Sequence, residues 1–492
     1  MGRLVCAVCV ASSASCAQLA GIDETTKDPG AVELSFQRLS IGATVVTTPL
    51  DLTGLSASWV IDDPAEPTGL RSIAGAASAD GTWTAEVGAE AAAAPRVEFT
   101  LPELPAPIRR RFDFPNRSVL GVFGVFEHPN PQPADMAATI TLQMAYEAGL
   151  FAGEGIQMFT VGSWNIRNIA EVPAPNTTAQ IGPVALAFSS FGSLVGRPLE
   201  KLTANDSVLV LRYQAGTNNL TGVYEQPAFD QSGTDVVMGT FAAVNHDQTL
   251  DATIDLVDLN RRYGTVRPAV VVPPSMVWTL RASPGFQSGN DLGPLLQAAV
   301  PAATDTKIAA TYGNPFTANH DWRTVLTWST QANRTVVPPG QTLAVTLSAA
   351  MFQRAFPTPG LALTLPAGLP QLITLDGTAL TSDGQMVRAP TRAVTVTFAT
   401  DIPLNTFYQL QVFDIVPNMA ATALEPRTVF LVAGIEPKFV LPPELFVVGH
   451  NYALRAITVQ GGHPRIDQGD LQTRELPFAV SLADSGVFQV MP

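Results

Sequence analysis

IPLNTFYQLQV at residues 402–412 and FVVGHNYALRA at residues 446–456 share one pattern. In each stretch an apolar residue stands six positions before a tyrosine, Tyr408 or Tyr452, and a turn-forming residue, Asn405 or Gly449, stands three positions before it. An alternation of apolar and polar residues follows each tyrosine. A turn signal directly before such an alternation is typical of a β-strand. We therefore expect a strand to begin at or near each tyrosine.

This arrangement resembles the tyrosine corner of fibronectin type III and bacterial immunoglobulin-like domains, where the tyrosine hydroxyl bonds back to nearby backbone. The resemblance implies a β-sandwich in the carboxyl-terminal part of the chain. Two complete sandwiches of about 100 residues each would place their tyrosines farther apart in sequence than Tyr408 and Tyr452 are. Either the second module is truncated, or one of the two matches is accidental.

The rest of the chain repeats short runs of Val, Thr, Leu and aromatic residues between Gly, Pro and Asp turns, which is typical of all-β proteins. Residues 75–84, GAASADGTWT, resemble a hairpin of transthyretin-like modules. The sequence predicts an all-β fold of tandem immunoglobulin-like or transthyretin-like β-sandwich modules with few short helices. The helix candidates are residues 292–303 and 349–355.

Interruptions of this pattern predict the domain boundaries. Three prolines and the basic triplet Arg109-Arg110-Arg111 precede residue 114, and we interpret the triplet as a solvated linker or a charged strand edge. Pro338-Pro339-Gly340 is a turn signal that precedes a new predicted strand. The predicted units are a signal peptide (1–15), a lipidated cysteine and tether (16–31), an amino-terminal sandwich (32–114), a middle β-rich domain (115–332) and a carboxyl-terminal region of one or two modules (333–492).

The composition limits the partners. Only 14% of the 492 residues are charged, against roughly 25% in an average soluble protein. The 28 basic and 42 acidic residues give a formal net charge of −14, which repels nucleic acid and anionic lipid head groups. We expect no nucleic-acid partner.

The amino terminus is typical of an export signal. Arg3 precedes the apolar stretch LVCAVCVA and then small residues, an order that predicts a secretory signal peptide. The three cysteines, Cys6, Cys9 and Cys16, all fall in the first 16 residues, so the rest of the chain has no disulfide framework.

Ser13-Ala14-Ser15-Cys16 resembles the box of bacterial lipoproteins, although Ser13 replaces the usual large aliphatic residue. The resemblance implies that Cys16 carries lipid and becomes the first residue of the mature protein. Ala17 follows it, which in this family implies export to the outer membrane. The alternatives are ordinary cleaved secretion and a chance apolar amino terminus.

Two groups of residues are candidates for binding. Asp247, Asp251, Asp255 and Asp258 would share one face of a helix, and their oxygens would supply part of a calcium shell. As a strand, the same run would instead be a solvated edge. Trp322 and Trp328 alternate onto one strand face and form either a sugar-stacking platform or part of the core.

No catalytic motif is present in the sequence: it contains no H-E-x-x-H, no G-x-S-x-G and no phosphate-binding glycine loop. We expect a non-enzymatic extracytoplasmic lipoprotein without a cofactor, calcium aside. It would lie in the periplasm or at the cell surface, with a structural, scaffold or binding role at the cell envelope. Its partners would be the membrane, through the lipid, and an envelope protein or glycan. The alternative is a secreted carbohydrate-binding or carbohydrate-active protein that uses the Trp322 and Trp328 face.

Overall fold

The structure is a computed structural model. It describes residues 31–41, 45–49, 56–78, 81–86, 96–100, 108–113, 118–125, 132–146, 150–193, 198–204, 206–214, 219–271, 275–283, 294–301, 305–320, 322–363, 367–402, 407–463, 466 and 475–492. The candidate lipidation site, Cys16, lies outside these residues. The described strands form six sheets, and helices are few and short, so the predicted all-β class is confirmed.

We divide the described strands into four units, numbered in chain order, and some hydrophobic clusters extend across the boundaries between them. Unit 1 covers residues 31–125, unit 2 residues 132–243, unit 3 residues 248–363 and unit 4 residues 367–491.

The strands of unit 1 are β1 (Ala31–Ile41), β2 (Val45–Pro49), β3 (Ser56–Asp62), β4 (Leu70–Ala74), β5 (Ala76–Ala77), β6 (Thr82–Glu86), β7 (Arg96–Thr100), β8 (Arg109–Asp113) and β9 (Ser118–Val125). The predicted hairpin is present, since β5 pairs with β6. The predicted boundary after residue 114 is wrong, because β9 pairs in parallel with β1 and thus completes unit 1.

The strands of unit 2 are β10 (Thr139–Ala145), β11 (Gly155–Val161), β12 (Asn165–Asn168), β13 (Gln180–Ala187), β14 (Gly192–Ser193), β15 (Ser207–Tyr213), β16 (Leu220–Gln226), β17 (Thr234–Thr240) and β18 (Ala242–Ala243). Sheet β13-β10-β17 packs on sheet β14-β12-β11-β15-β16-β18 through residues such as Leu142 and Met158. Because successive strand residues point to opposite faces, Phe159 and Leu209 of the second sheet pack instead on the core of unit 3.

The elements of unit 3 are β19 (Gln248–Ile254), α1 (Leu256–Tyr263), β20 (Ser275–Ser283), β21 (Pro294–Pro301), β22 (Thr306–Tyr312), α2 (Thr317–His320), β23 (Arg323–Val336), β24 (Val345–Ala355) and β25 (Leu361–Leu363). The predicted boundary between residues 332 and 333 falls inside β23 and is wrong. Both helix predictions are also wrong, because residues 294–301 and 349–355 lie in the paired strands β21 and β24.

The strands of unit 4 are β26 (Pro370–Leu375), β27 (Thr378–Ala379), β28 (Gln385–Arg388), β29 (Val394–Thr400), β30 (Phe407–Pro417), β31 (Leu424–Gly434), β32 (Lys438–Leu441), β33 (Asn451–Gly461), β34 (Phe478–Asp484) and β35 (Phe488–Met491). Sheet β27-β26-β29-β32 packs on β30, β31, β33 and β35 around Leu410, Phe430 and Leu454.

Unit 4 contains both Tyr408 and Tyr452, and its contacts show which of them forms a tyrosine corner. The Tyr452 hydroxyl accepts a hydrogen bond of 2.9 Å from the Val447 amide, as a tyrosine corner requires. Tyr408 lies on β30, which pairs directly with β33, the strand that carries Tyr452. Both tyrosines therefore belong to one sandwich, and the match at Tyr408 is accidental.

One sheet joins three of the four units edge to edge. Its strands run β21-β20-β23-β24 in unit 3, β34-β33-β30-β31 in unit 4 and β8-β7-β3-β4 in unit 1. β24 pairs with β34 antiparallel, and β31 pairs with β8 parallel. The interpretation of Arg109-Arg110-Arg111 as a linker or an edge is wrong, because these residues lie in β8, between β7 and β31.

Candidate functional site

The structure buries both tryptophans of the predicted sugar platform. Trp322 is 6% exposed and Trp328 is 0% exposed. Trp328 donates a hydrogen bond of 3.1 Å from Nε1 to Gln353 Oε1 inside the core of unit 3. An exposed platform at these residues is therefore ruled out, because a ring covered by protein presents no face for a sugar.

Trp322 instead contacts unit 2. Its ring lies 6.2 Å from the ring of Trp164 and 4.4 Å from that of His320, measured between centroids. His320 Nε2 lies 2.9 Å from Glu225 Oε1, on β16 of unit 2. Trp322 thus belongs to an aromatic joint between units 2 and 3.

The four aspartates of the predicted calcium site do not come together, because the run changes from strand to helix within it. Asp251 lies on β19 beside Lys307, at 3.3 Å. Asp255 caps α1, accepting from the Asp258 amide at 2.8 Å, and Asp258 pairs with Arg261. Asp247 precedes β19 and is exposed. Among the described residues, no group of three or more His, Cys, Asp and Glu side chains is placed to hold a metal ion.

A buried ion pair spans units 3 and 4. Arg262, on α1, donates to Asp401 at 2.6 and 3.0 Å and to the Ala367 carbonyl at 2.7 Å. The Leu369 amide also donates to Asp401, at 2.6 Å. The Arg262 side chain is 2% exposed, so solvent screens this pair little.

Two further pairs reinforce the same joint. Arg334 of β23 lies 3.1 Å from Asp383, and burial lowers the pKa of Arg334 while Asp383 opposes the shift. Arg455 of β33 donates to Asp484 at 2.7 and 2.9 Å, and Asp484 accepts from the Ser348 amide of β24 at 2.8 Å. The pair of Arg334 and Asp383 crosses from unit 3 to unit 4, whereas Arg455 and Asp484 both belong to unit 4 and reach unit 3 through the Ser348 amide.

Arginines also line the joint between units 4 and 1. Arg111 is fully buried and pairs with Asp113 at 2.7 Å. Arg109 bonds Glu98 of unit 1 and lies 3.3 Å from Glu444 of unit 4. The guanidinium carbons of Arg109 and Arg111 both lie 5.6 Å from the centre of the Phe430 ring. Arg109 and Arg111 of the basic triplet therefore lie in an interface between the two units.

A cavity of about 330 Å³ lies where β21 of unit 3 passes the ends of β11, β12 and β15 in unit 2. Its lining residues are Gly153, Gly155, Ile156, Gln157, Asn168, Ile169, Ala170, Tyr213 and Pro294. Burial raises the pKa of Tyr213, with the charge of Arg281 opposing the shift, so the phenol is neutral at ordinary pH. Sequence reasoning missed this site, because its residues form no motif and come from two units.

No family model matches the chain, and no curated protein matches it. Among solved structures, the chain is similar to a tetra-tandem repeat from the extending region of a large adhesion protein (13% identity, 93% of this chain and 99% of that chain, TM-score 0.11). It is also similar to the four amino-terminal Ig domains of Dscam1 isoform 1.9 (10% identity, 94% and 97%, TM-score 0.11) and to the Bacillus anthracis TIE protein (10% identity, 95% and 75%, TM-score 0.13). Likenesses at these TM-scores do not establish a shared arrangement, and the fold rests on the strand pairings above.

The described helices include none long and apolar enough to cross a bilayer.

Proposed function

We propose that the chain is an extracytoplasmic, non-enzymatic scaffold or binding protein of the bacterial cell envelope, anchored through a lipid on Cys16. The observation that supports the scaffold role is the sheet that runs through units 3, 4 and 1, with ion pairs across its joints. Flexible tandem modules need only linkers between them, whereas these units share strand pairings. Such a body holds its parts at fixed separations.

Distance measurements test the scaffold role. The cysteine-free body allows unique spin labels in a chain whose three native cysteines are replaced by serine. Val257→Cys in unit 3 and Met419→Cys in unit 4 place labels at exposed positions in two units that the sheet joins. We expect one narrow distance distribution by double electron–electron resonance. A broad distribution would show that the units move independently and would refute the scaffold proposal.

Cys16→Ala tests the anchor. We expect the native chain to incorporate labelled fatty acid and to partition with membranes, and the variant to lose both properties. Absence of label from the native chain would contradict the lipoprotein proposal and leave cleaved secretion as the alternative.

The carbohydrate-binding alternative cannot use Trp322 and Trp328, because both side chains are buried.

A further inference from the structure

The cavity between units 2 and 3 is walled by uncharged groups. Gln157 and Asn168 supply amides, Tyr213 supplies a phenol, and Ile156 and Pro294 supply apolar surface. The nearby carboxylate of Glu154 is engaged elsewhere, since it accepts from Arg212 at 3.0 Å and from the Phe151 amide at 2.8 Å. None of the lining side chains carries a charge, and such a wall favours a neutral ligand.

Two polar atoms of the cavity wall are buried and lack a hydrogen-bond partner: the Tyr213 hydroxyl and Gln157 Oε1. The other end of the Gln157 amide is fixed, because Nε2 donates to Asn168 Oδ1 at 3.0 Å. A buried polar atom without a partner is destabilising, because it has lost its hydrogen bonds to water without gaining others. A ligand with hydroxyl groups, bound after a small side-chain rotation, would satisfy both atoms.

The wall also leaves room for a ring. A Cβ built on Gly155 meets no atom within 4 Å, and Gly155 stands opposite Tyr213 in the pairing of β11 with β15. The volume of about 330 Å³ is at the small end of ligand sites, which span roughly 300–1,000 Å³. Small-molecule sites typically combine apolar walls with a few placed polar groups, as this one does.

We propose that this cavity binds a neutral sugar ring, free or at the end of a glycan. The ring's hydroxyls bond to Tyr213, Gln157 and Asn168, and its C–H faces pack on Ile156 and Pro294. The proposed sugar site is therefore the cavity between units 2 and 3 and not the buried Trp322 and Trp328. The ligand contacts both units, so its binding stabilises that joint.

Titration calorimetry of the full chain with D-glucose, D-galactose and N-acetyl-D-glucosamine tests the proposal, with D-glucuronate as a charged analogue. We expect at least one neutral sugar to bind and glucuronate to bind more weakly. A glycan array compares the free ring with the same ring at a chain end. If none of the three neutral sugars binds and the array shows no signal, the proposal is overturned.

Two variants locate the site. Tyr213→Phe removes only the hydroxyl and should weaken binding roughly tenfold, the loss expected for one hydrogen bond. Gly155→Leu fills the open space and should abolish binding without disturbing the fold.

Each variant has a matched control. Tyr146→Phe removes another buried, unpartnered hydroxyl of unit 2 that does not line the cavity. Gly192→Leu adds the same side chain to another strand glycine with room for it. Both controls should bind like the native chain. Unchanged affinity in Tyr213→Phe and Gly155→Leu would place the sugar elsewhere and refute the site.

Discussion

Replacing Arg262 with methionine removes the central charge of the joint between units 3 and 4. The variant leaves the Asp401 carboxylate, 15% exposed, with the Leu369 amide as its remaining donor among the contacts described above. It also removes the donor to the Ala367 carbonyl. Removing one partner of a buried ion pair costs about 3–5 kcal/mol, which is roughly two to four orders of magnitude in the folding equilibrium. We expect a loss of this size.

Urea unfolding followed by tryptophan fluorescence measures the effect, because three of the six tryptophans, Trp278, Trp322 and Trp328, lie in unit 3. Arg261→Met is the matched control: Arg261 is the preceding residue of the same helix, and its side chain is 70% exposed. We expect no measurable change in that variant. Adding Asp401→Asn to Arg262→Met should restore much of the lost stability, since the unpaired charge is then gone. Equal effects of Arg262→Met and Arg261→Met would refute the reasoning.

Three further outcomes follow from the same structure. Trp328→Ala should cost about 3–5 kcal/mol in urea unfolding, because it empties a fully buried site; a loss below 1 kcal/mol would show that the ring is not core. Tyr452→Phe should cost about 1–2 kcal/mol by thermal or urea unfolding through loss of the bond from the Val447 amide, whereas Tyr408→Phe should cost less. Burial raises the pKa of Tyr263 above its ordinary value of 10, so its contribution to stability is complete below pH 10 and falls as the pH rises toward the folded-state value. Unfolding measured between pH 8 and pH 11 should show this decline, and Tyr263→Phe should make it shallower, since other buried tyrosines such as Tyr213 also contribute to it; an identical slope in the variant would contradict the assignment.

The sequence predicts the local features of the fold well. Alternating runs bounded by turn residues identify the all-β class, and the spacing around Tyr452 identifies a tyrosine corner that the structure contains. These signals are local, because a turn and the strand after it are written in neighbouring residues. The hairpin of β5 and β6 was predictable for the same reason.

The errors concern partners that are distant in sequence. Residues 294–301 contain Leu and Ala and residues 349–355 contain Ala and Met, which suit a helix, but pairing with neighbouring strands places them in β21 and β24. A helix face and a strand edge, the two alternatives for the aspartate run, both place it on a single element, yet β19 ends at Ile254 and α1 begins at Leu256. Asp255 at the amino terminus of α1 and Gly264 after its last residue are the local signals of this change.

The candidate sites were the least predictable part. The alternation of Trp322 and Trp328 fits an exposed sugar-binding platform and a buried core equally well. Only the position of the opposing sheet decides whether the two rings are covered. Arg262 and Asp401 are 139 residues apart, and the cavity takes its wall from two units. Neither the ion pair nor the cavity can be predicted from the sequence, because each depends on how two units pack against each other.

The parallel pairing of β8 with β31 bears on how the protein is made. Arg109 and Glu444, which meet at that joint, are 335 residues apart. At a synthesis rate of 5–20 residues per second, roughly 15 to 70 seconds separate their appearance. Throughout that interval the first unit to emerge has an open sheet edge at β8, a site for pairing with other chains. Arg109, Arg110 and Arg111 place three positive charges on this edge strand, which disfavours its pairing with a second copy of the chain until unit 4 is made.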